Sequence, residues 1–212
     1  MNPCERGTPP DAPATPAPRR RRTWCALVVT GVAAMSLLTP LAGPAAAATV
    51  HPAGQLNFNE LAQEQDEWCW DATGLSVAQF LGHGADVDQN TFCDYARGLS
   101  PGDPCPNQPG ELTDVQAGWS GTGMSNVGSV ADGALDFQTV ARSIDAGSPV
   151  EVGISWTSGG GHANVLYGYD ASSGQLLYAD PWPSNPRYGE MDYNSYVSNG
   201  EFTWDQSLYG ES

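Results

Sequence analysis

The chain has 212 residues, with eight basic side chains against 24 acidic ones and a net charge of −16; all eight basic residues are arginine. A surface this acidic repels phosphate backbones and anionic lipid headgroups, which excludes nucleic acid and the membrane surface as natural partners and favours solubility. No repeat of solenoid length is visible.

Residues 1–18, rich in Pro and Ala, read as an extended leader without a core-forming pattern. Arg19 to Arg22, the short apolar run Trp24 to Leu38 and the small residues Ala46-Ala47-Ala48 then form an export signal, with cleavage expected before Thr49. The apolar run is shorter than the roughly 20 residues of a membrane span. Arg21-Arg22 leaves a twin-arginine route open beside the general one. The expected product is a secreted single domain, residues 49–212, with three arginines against 22 acidic residues. That length is enough for one substantial core.

The cysteines of residues 49–212 are Cys69, Cys93 and Cys105, an odd number for an oxidising compartment. Cys93 and Cys105 lie twelve apart across the turn-rich stretch Gly98 to Pro104 and are expected to close a disulfide. Cys69, between Trp68 and Trp70, is then left over.

Cys69, Thr73, Val77, Phe80 and Leu81 recur at helical spacing and Gly82-His83-Gly84 ends the run, which predicts a helix carrying Cys69 in its first turn. Asp88 to Arg97 reads as a second short helix, 98–110 as a loop, and Ala134 to Ala146 as a helix capped by Gly147. After Pro149 the pattern turns to short β-prone runs: Val150–Trp156, Ala163–Tyr169, Gln175–Ala179, Tyr188–Tyr193 and Glu201–Trp204. Helices first and strands later is an α+β order, with a C-terminal antiparallel sheet.

Several chemistries find no support. Asp86 to Asn90 begins like a calcium loop but lacks the turn glycine and the later ligand types. His51, His83 and His162 show no zinc spacing, no Gly-x-Ser-x-Gly elbow exists, and the glycines of 121–128 lack the lysine of a phosphate loop.

Thiol chemistry fits better. A helix N-terminus places backbone N–H groups and a positive dipole end at the Cys69 sulfur, favouring the thiolate. On its own, such a cysteine is as readily a small buried hydrophobe. His162 follows Ser158-Gly159-Gly160-Gly161 at a loop's junction with a strand, and Asp180 ends the run Gln175 to Ala179, where adjacent strands bring it beside His162. Gln63, six residues before Cys69, is within reach of an oxyanion formed by attack from Cys69.

Gln63 with Trp68-Cys69-Trp70, Gly161-His162-Ala163 and Asp180-Pro181-Trp182 resembles the papain-like cysteine peptidases. The resemblance is to the compact bacterial branch, similar to C39-like peptidases and to secreted effector peptidases of plant pathogens, and spans roughly residues 60–205. It implies a central helix bearing the nucleophile Cys69, a base and acid in His162, an orienting Asp180, and an oxyanion site from Gln63 and the Cys69 backbone N–H. It also implies a polypeptide substrate, no metal or organic cofactor, and action as a monomer.

This chain departs from that pattern at Asp71, where a small residue is expected, and in the acidic run Glu64, Asp66 and Glu67. Nearby anions disfavour a thiolate. Asp71 is expected to point outward, partly in water, and to serve the helix dipole. Two other readings compete: a cell-wall amidase on a related scaffold, and a secreted binding module whose Cys69 is silenced by the acids.

Overall fold

The computed structural model describes residues 51–212. The leader and signal expected in residues 1–48 lie outside the described residues. The elements run as β1 (Ala53–Gln55), α1 (Cys69–Phe80), α2 (Gln89–Arg97), α3 (Leu112–Gly121), β2 (Ser129–Asp132), α4 (Phe137–Asp145), β3 (Val150–Trp156), β4 (Gly161–Asp170), β5 (Gln175–Ala179), β6 (Tyr188–Asp192), α5 (Tyr193–Val197) and β7 (Phe202–Tyr209). The expected α+β order is therefore present, and the sheet is antiparallel throughout, in the order β2-β7-β3-β4-β5-β6 with β1 pairing the far end of β4.

Both faces of the sheet are covered. Helices α1, α2 and α3 bury Trp70, Val77, Phe92, Val115 and Trp119 against one face, which includes Val165, Tyr167 and Leu208. Helices α4 and α5 bury Val140, Ile144 and Tyr196 against Val152, Ile154 and Trp204 on the other. Burial on both sides explains why β4 reads as one apolar run, its residues 162–169 all being buried, instead of alternating.

Helix α1 lies inside: every residue from Cys69 to Ala78 is buried. Its neighbours reach it through missing side chains. A Cβ on Gly74 would stand 2.8 Å from Val115, and one on Gly118 would stand 2.5 Å from Phe92. The Trp119 indole donates to Gly74 O at 2.7 Å across this close crossing. Helix α3 did not stand out in the sequence because Gly118 and Gly121 weaken its propensity, yet the approach of Phe92 and Tyr95 demands those glycines.

The Cys93–Cys105 disulfide is formed, with a Cα–Cα distance of 6.1 Å. It ties α2 to the loop that leads into α3. The Trp68 indole donates to Pro106 O, the Trp70 indole to Gln108 O, and Arg97 to Pro109 O while lying 4.9 Å over the Trp70 ring. The two tryptophans flanking Cys69 thus hold that loop down beside the helix start.

Candidate active site

Strand pairing brings the histidine and the aspartate together. Val165 of β4 pairs with Ala179 of β5, so the next residue, Asp180, comes alongside Asn164, two residues from His162 on the same strand. His162 Nε2 lies 2.8 Å from Asp180 Oδ1, with the two side chains 1% and 10% exposed. His162 is the second residue of β4, inside the strand, where it pairs with Ile154; the expected junction lies one residue earlier. Its ring stacks on Trp156 and meets the edge of Trp182, with centroids 6.1 and 6.5 Å away.

Asp180 is itself held firmly. It accepts from Trp182 N and from Asn185 Nδ2, both at 2.8 Å, and Arg187 donates to its carbonyl. Burial alone would raise its carboxyl, but the hydrogen bond and charge of His162, with the Asn185 and Trp182 donors, hold it below the ordinary carboxylate range. An ionised Asp180 accepts a hydrogen bond from Nε2–H, which leaves Nδ1 as the basic nitrogen. Nδ1 is buried without a hydrogen-bond partner.

Cys69 opens α1, as expected, and lines one cleft together with His162. Beneath the site Cys69 packs on Ala163, the residue after the histidine. The helix start has no side-chain cap, and the first-turn N–H groups of a helix have no intrahelical partner. Cys69 is itself disulfide-bonded in this chain, and the expectation of a left-over Cys69 concerned the chain without residues 1–48.

Gln63 sits apart from the cleft lining. Its Nε2 donates to Gln65 O at 2.8 Å and to Asp66 O at 2.9 Å, and its backbone N–H donates to Pro181 O at 2.9 Å. These bonds fold the turn before α1 and tie it to the Asp180-Pro181-Trp182 segment. Both amide hydrogens are thereby committed. Gln65 is exposed.

The acidic surroundings are a correction to the sequence reading. Asp71 does not point outward: it is wholly buried, and neither carboxyl oxygen has a hydrogen-bond partner. With α1 inside the domain, no outward face exists at that position. Burial, reinforced by the charges of Glu64, Asp88 and Glu151 against the pull of Arg97, holds its carboxyl well above the ordinary range. A carboxyl so raised favours the neutral acid.

A second buried acid was not singled out from the sequence. Glu151 on β3 points at α1, where the Thr73 hydroxyl donates to Glu151 Oε1 at 2.6 Å and also lies 2.9 Å from Cys69 O. Burial, opposed by the Thr73 hydrogen bond and aided by Glu211, pushes its pKa up to about 8. The signal was there: a lone carboxylate inside the apolar run Val150-Glu151-Val152.

A model of the Peptidase_C39 like family matches residues 55–209. Among solved structures, the chain is similar to the crystal structure of xylellain, a cysteine protease from Xylella fastidiosa, with a TM-score of 0.50 and 14% identity over 78% of this chain and 88% of that one. At that identity the likeness is one of fold. No curated protein sequence matches the chain.

Proposed function

Because the chain belongs to the Peptidase_C39-like family and is therefore a cysteine-type peptidase, we propose that it hydrolyses peptide bonds through Cys69, His162 and Asp180. The observation that carries this reading is the 2.8 Å His162–Asp180 pair, whose histidine lines the same cleft as a cysteine at the start of a buried helix.

The reacting form is the reduced thiol. His162 Nδ1 takes the Cys69 proton, the sulfur attacks the scissile carbonyl carbon, and the carbonyl π-electrons move to oxygen. The Cys69 N–H, at the positive end of α1, donates to that oxyanion. Collapse breaks the C–N bond as Nδ1–H protonates the leaving amine, leaving a thioester on Cys69. Water, deprotonated by Nδ1, then releases the acid and regenerates the thiol. Asp180 accepts from Nε2–H throughout, which holds the tautomer and stabilises the imidazolium. Gln63 is the second oxyanion donor in this reading, and it serves by exchanging its bond to Gln65 O or Asp66 O for one to the substrate. No metal or organic cofactor takes part in this scheme.

The same proposal places the enzyme outside the cell as a monomer, after removal of residues 1–48. The Cys93–Cys105 disulfide suits an oxidising compartment. No helix among the described residues is long and apolar enough to cross a membrane. N-terminal sequencing of secreted material tests the export reading, and a start upstream of Ala42 refutes it.

The catalytic test is digestion of casein under reducing conditions, with a papain-type epoxide inhibitor followed by peptide mass mapping. We expect proteolysis that Cys69→Ala abolishes and His162→Ala cripples, and one inhibitor adduct on Cys69. Lysis of peptidoglycan without casein cleavage would install the amidase reading, and an inert thiol the binding-module reading.

A further inference from the structure

Two buried hydroxyls of α1 each stand between a helix carbonyl and a carboxyl. Thr73 Oγ1 lies 2.9 Å from Cys69 O and 2.6 Å from Glu151 Oε1, with Trp70 O farther off at 3.2 Å. Ser76 Oγ lies 2.7 Å from Ala72 O and 3.1 Å from Glu60 Oε1. A hydroxyl carries one proton but also accepts, so it cannot donate fully to both oxygens. A neutral carboxyl removes the conflict: its own O–H donates to the hydroxyl oxygen, and the hydroxyl proton then serves the helix carbonyl.

Of the two chains of bonds, the one from Glu151 ends at the nucleophile. Glu151 stands on β3 between its cross-strand neighbours Val165 and Leu208, both buried and apolar, and meets α1 at Thr73. The ionisable groups coupled to it are Asp71 on α1, Glu60 before α1 and Glu211 beyond β7, all of them acids. Burial, aided by Glu211, keeps a proton on Glu151 through acid and neutral pH. A bond from a Thr hydroxyl to the carbonyl four residues earlier bends the helical turn it spans. Here that turn runs from Cys69 to Thr73 and carries the Cys69 sulfur and backbone N–H.

We propose that Glu151 is a positioning residue that confines full activity to acid and neutral pH: the neutral acid donates to Thr73, Thr73 donates to Cys69 O, and the first turn of α1 is held in the geometry of attack. Ionised Glu151 draws the Thr73 hydrogen bond to its own oxygen, Cys69 O loses the Thr73 hydroxyl, and the turn relaxes. Glu151 acts through Thr73, and small displacements of a reacting group cost rate steeply. The inference rests on the peptidase reading.

The test follows kcat and KM against pH for the reduced full-length chain, using one internally quenched casein peptide. Active sites are counted with the epoxide inhibitor, and folding is checked by circular dichroism at each pH. Glu151→Gln carries a permanent donor for Thr73. It is expected to match wild type within about twofold near pH 5.5 and to move the alkaline limb of kcat up by at least about one unit. Glu60→Gln, whose hydroxyl partner bonds Ala72 O instead, is expected to leave that limb in place. Thr73→Val should lower kcat about tenfold near pH 5.5 with KM within about twofold, and Thr73→Ser should restore it. Coincident alkaline limbs in wild type and Glu151→Gln, an equal shift in Glu60→Gln, or an unimpaired Thr73→Val overturns the proposal and leaves the peptidase reading intact. Should Glu151→Gln not fold, the Thr73 pair decides. Absence of cleavage by the reduced wild type at every pH overturns both.

Discussion

Replacing Glu151 by Gln is expected to free the domain from a penalty that grows with pH. The side chain is fully buried, Oε1 is engaged by Thr73 and Oε2 has no partner, so the folded state prefers the neutral acid, with a pKa of about 8 against 4.5 in the ordinary state. The raised pKa sets the sign: the unfolded chain loses this proton first, so stability is full below the unfolded value and falls as pH rises through the folded one. Each pH unit between them costs about 1.4 kcal/mol, giving a total of about 5 kcal/mol by pH 8 and above. Glu211, raised to about 7 chiefly by burial, steepens the decline in the same direction. The amide introduced by Glu151→Gln keeps an acceptor for Thr73 and cannot ionise. Thermal unfolding at pH 4.5, 6, 7 and 8.5 should show a wild-type midpoint that falls with pH. The Glu151→Gln midpoint should fall less, standing ~10–20 °C higher at pH 8.5 and close to wild type at pH 4.5. Parallel pH profiles for the two proteins would refute a neutral Glu151.

Three further outcomes are expected. Gln63→Ala should lower kcat about 10²-fold if its amide reaches the oxyanion, while Gln65→Ala, at an exposed position, leaves kcat within about twofold; the reverse ranking in steady-state kinetics would show that the other glutamine donates. The double replacement Cys93→Ser/Cys105→Ser should cost about 3 kcal/mol, a drop in midpoint of ~6–12 °C, and should loosen the loop beside Cys69; an unchanged midpoint would deny the bridge a stabilising role. Asp71→Asn should leave the pH profile of Cys69 alkylation, measured after reduction, where it is in wild type, because the buried carboxyl favours its neutral form; a shift of the apparent thiol pKa by a full unit would mean that Asp71 is charged.

Much of this arrangement is legible in the chain because it is local. The strands Val150–Trp156 and Gln175–Ala179 end where turn residues end them, and the spacing of His162 and Asp180 is set by the β4–β5 hairpin. What escaped depends on tertiary contact. Helix α3 is permitted by glycines that only its packing explains, and β7 continues to Tyr209 through Asp205-Gln206-Ser207, a polar stretch that reads as a strand end until β2 and β3 are seen to pair with it. Asp71 was placed in water on the rule that charged first-turn residues serve the dipole, and that rule fails when the whole turn is enclosed. The amide of Gln63 has the expected sequence position, but the partners it chooses, Gln65 O and Asp66 O, depend on how the preceding turn folds.

The tryptophans around the site have an optical consequence. Four of the chain's seven stand there: Trp68 and Trp70 on either side of Cys69, with their indole N–H groups bonded to the adjoining loop, and Trp156 and Trp182 against the His162 ring. A protonated imidazole quenches indole emission, and so does a thiolate in contact. The unlabelled protein therefore carries its own spectroscopic gauge of the proposed Cys69–His162 pair, in which intrinsic fluorescence reports changes at either side chain.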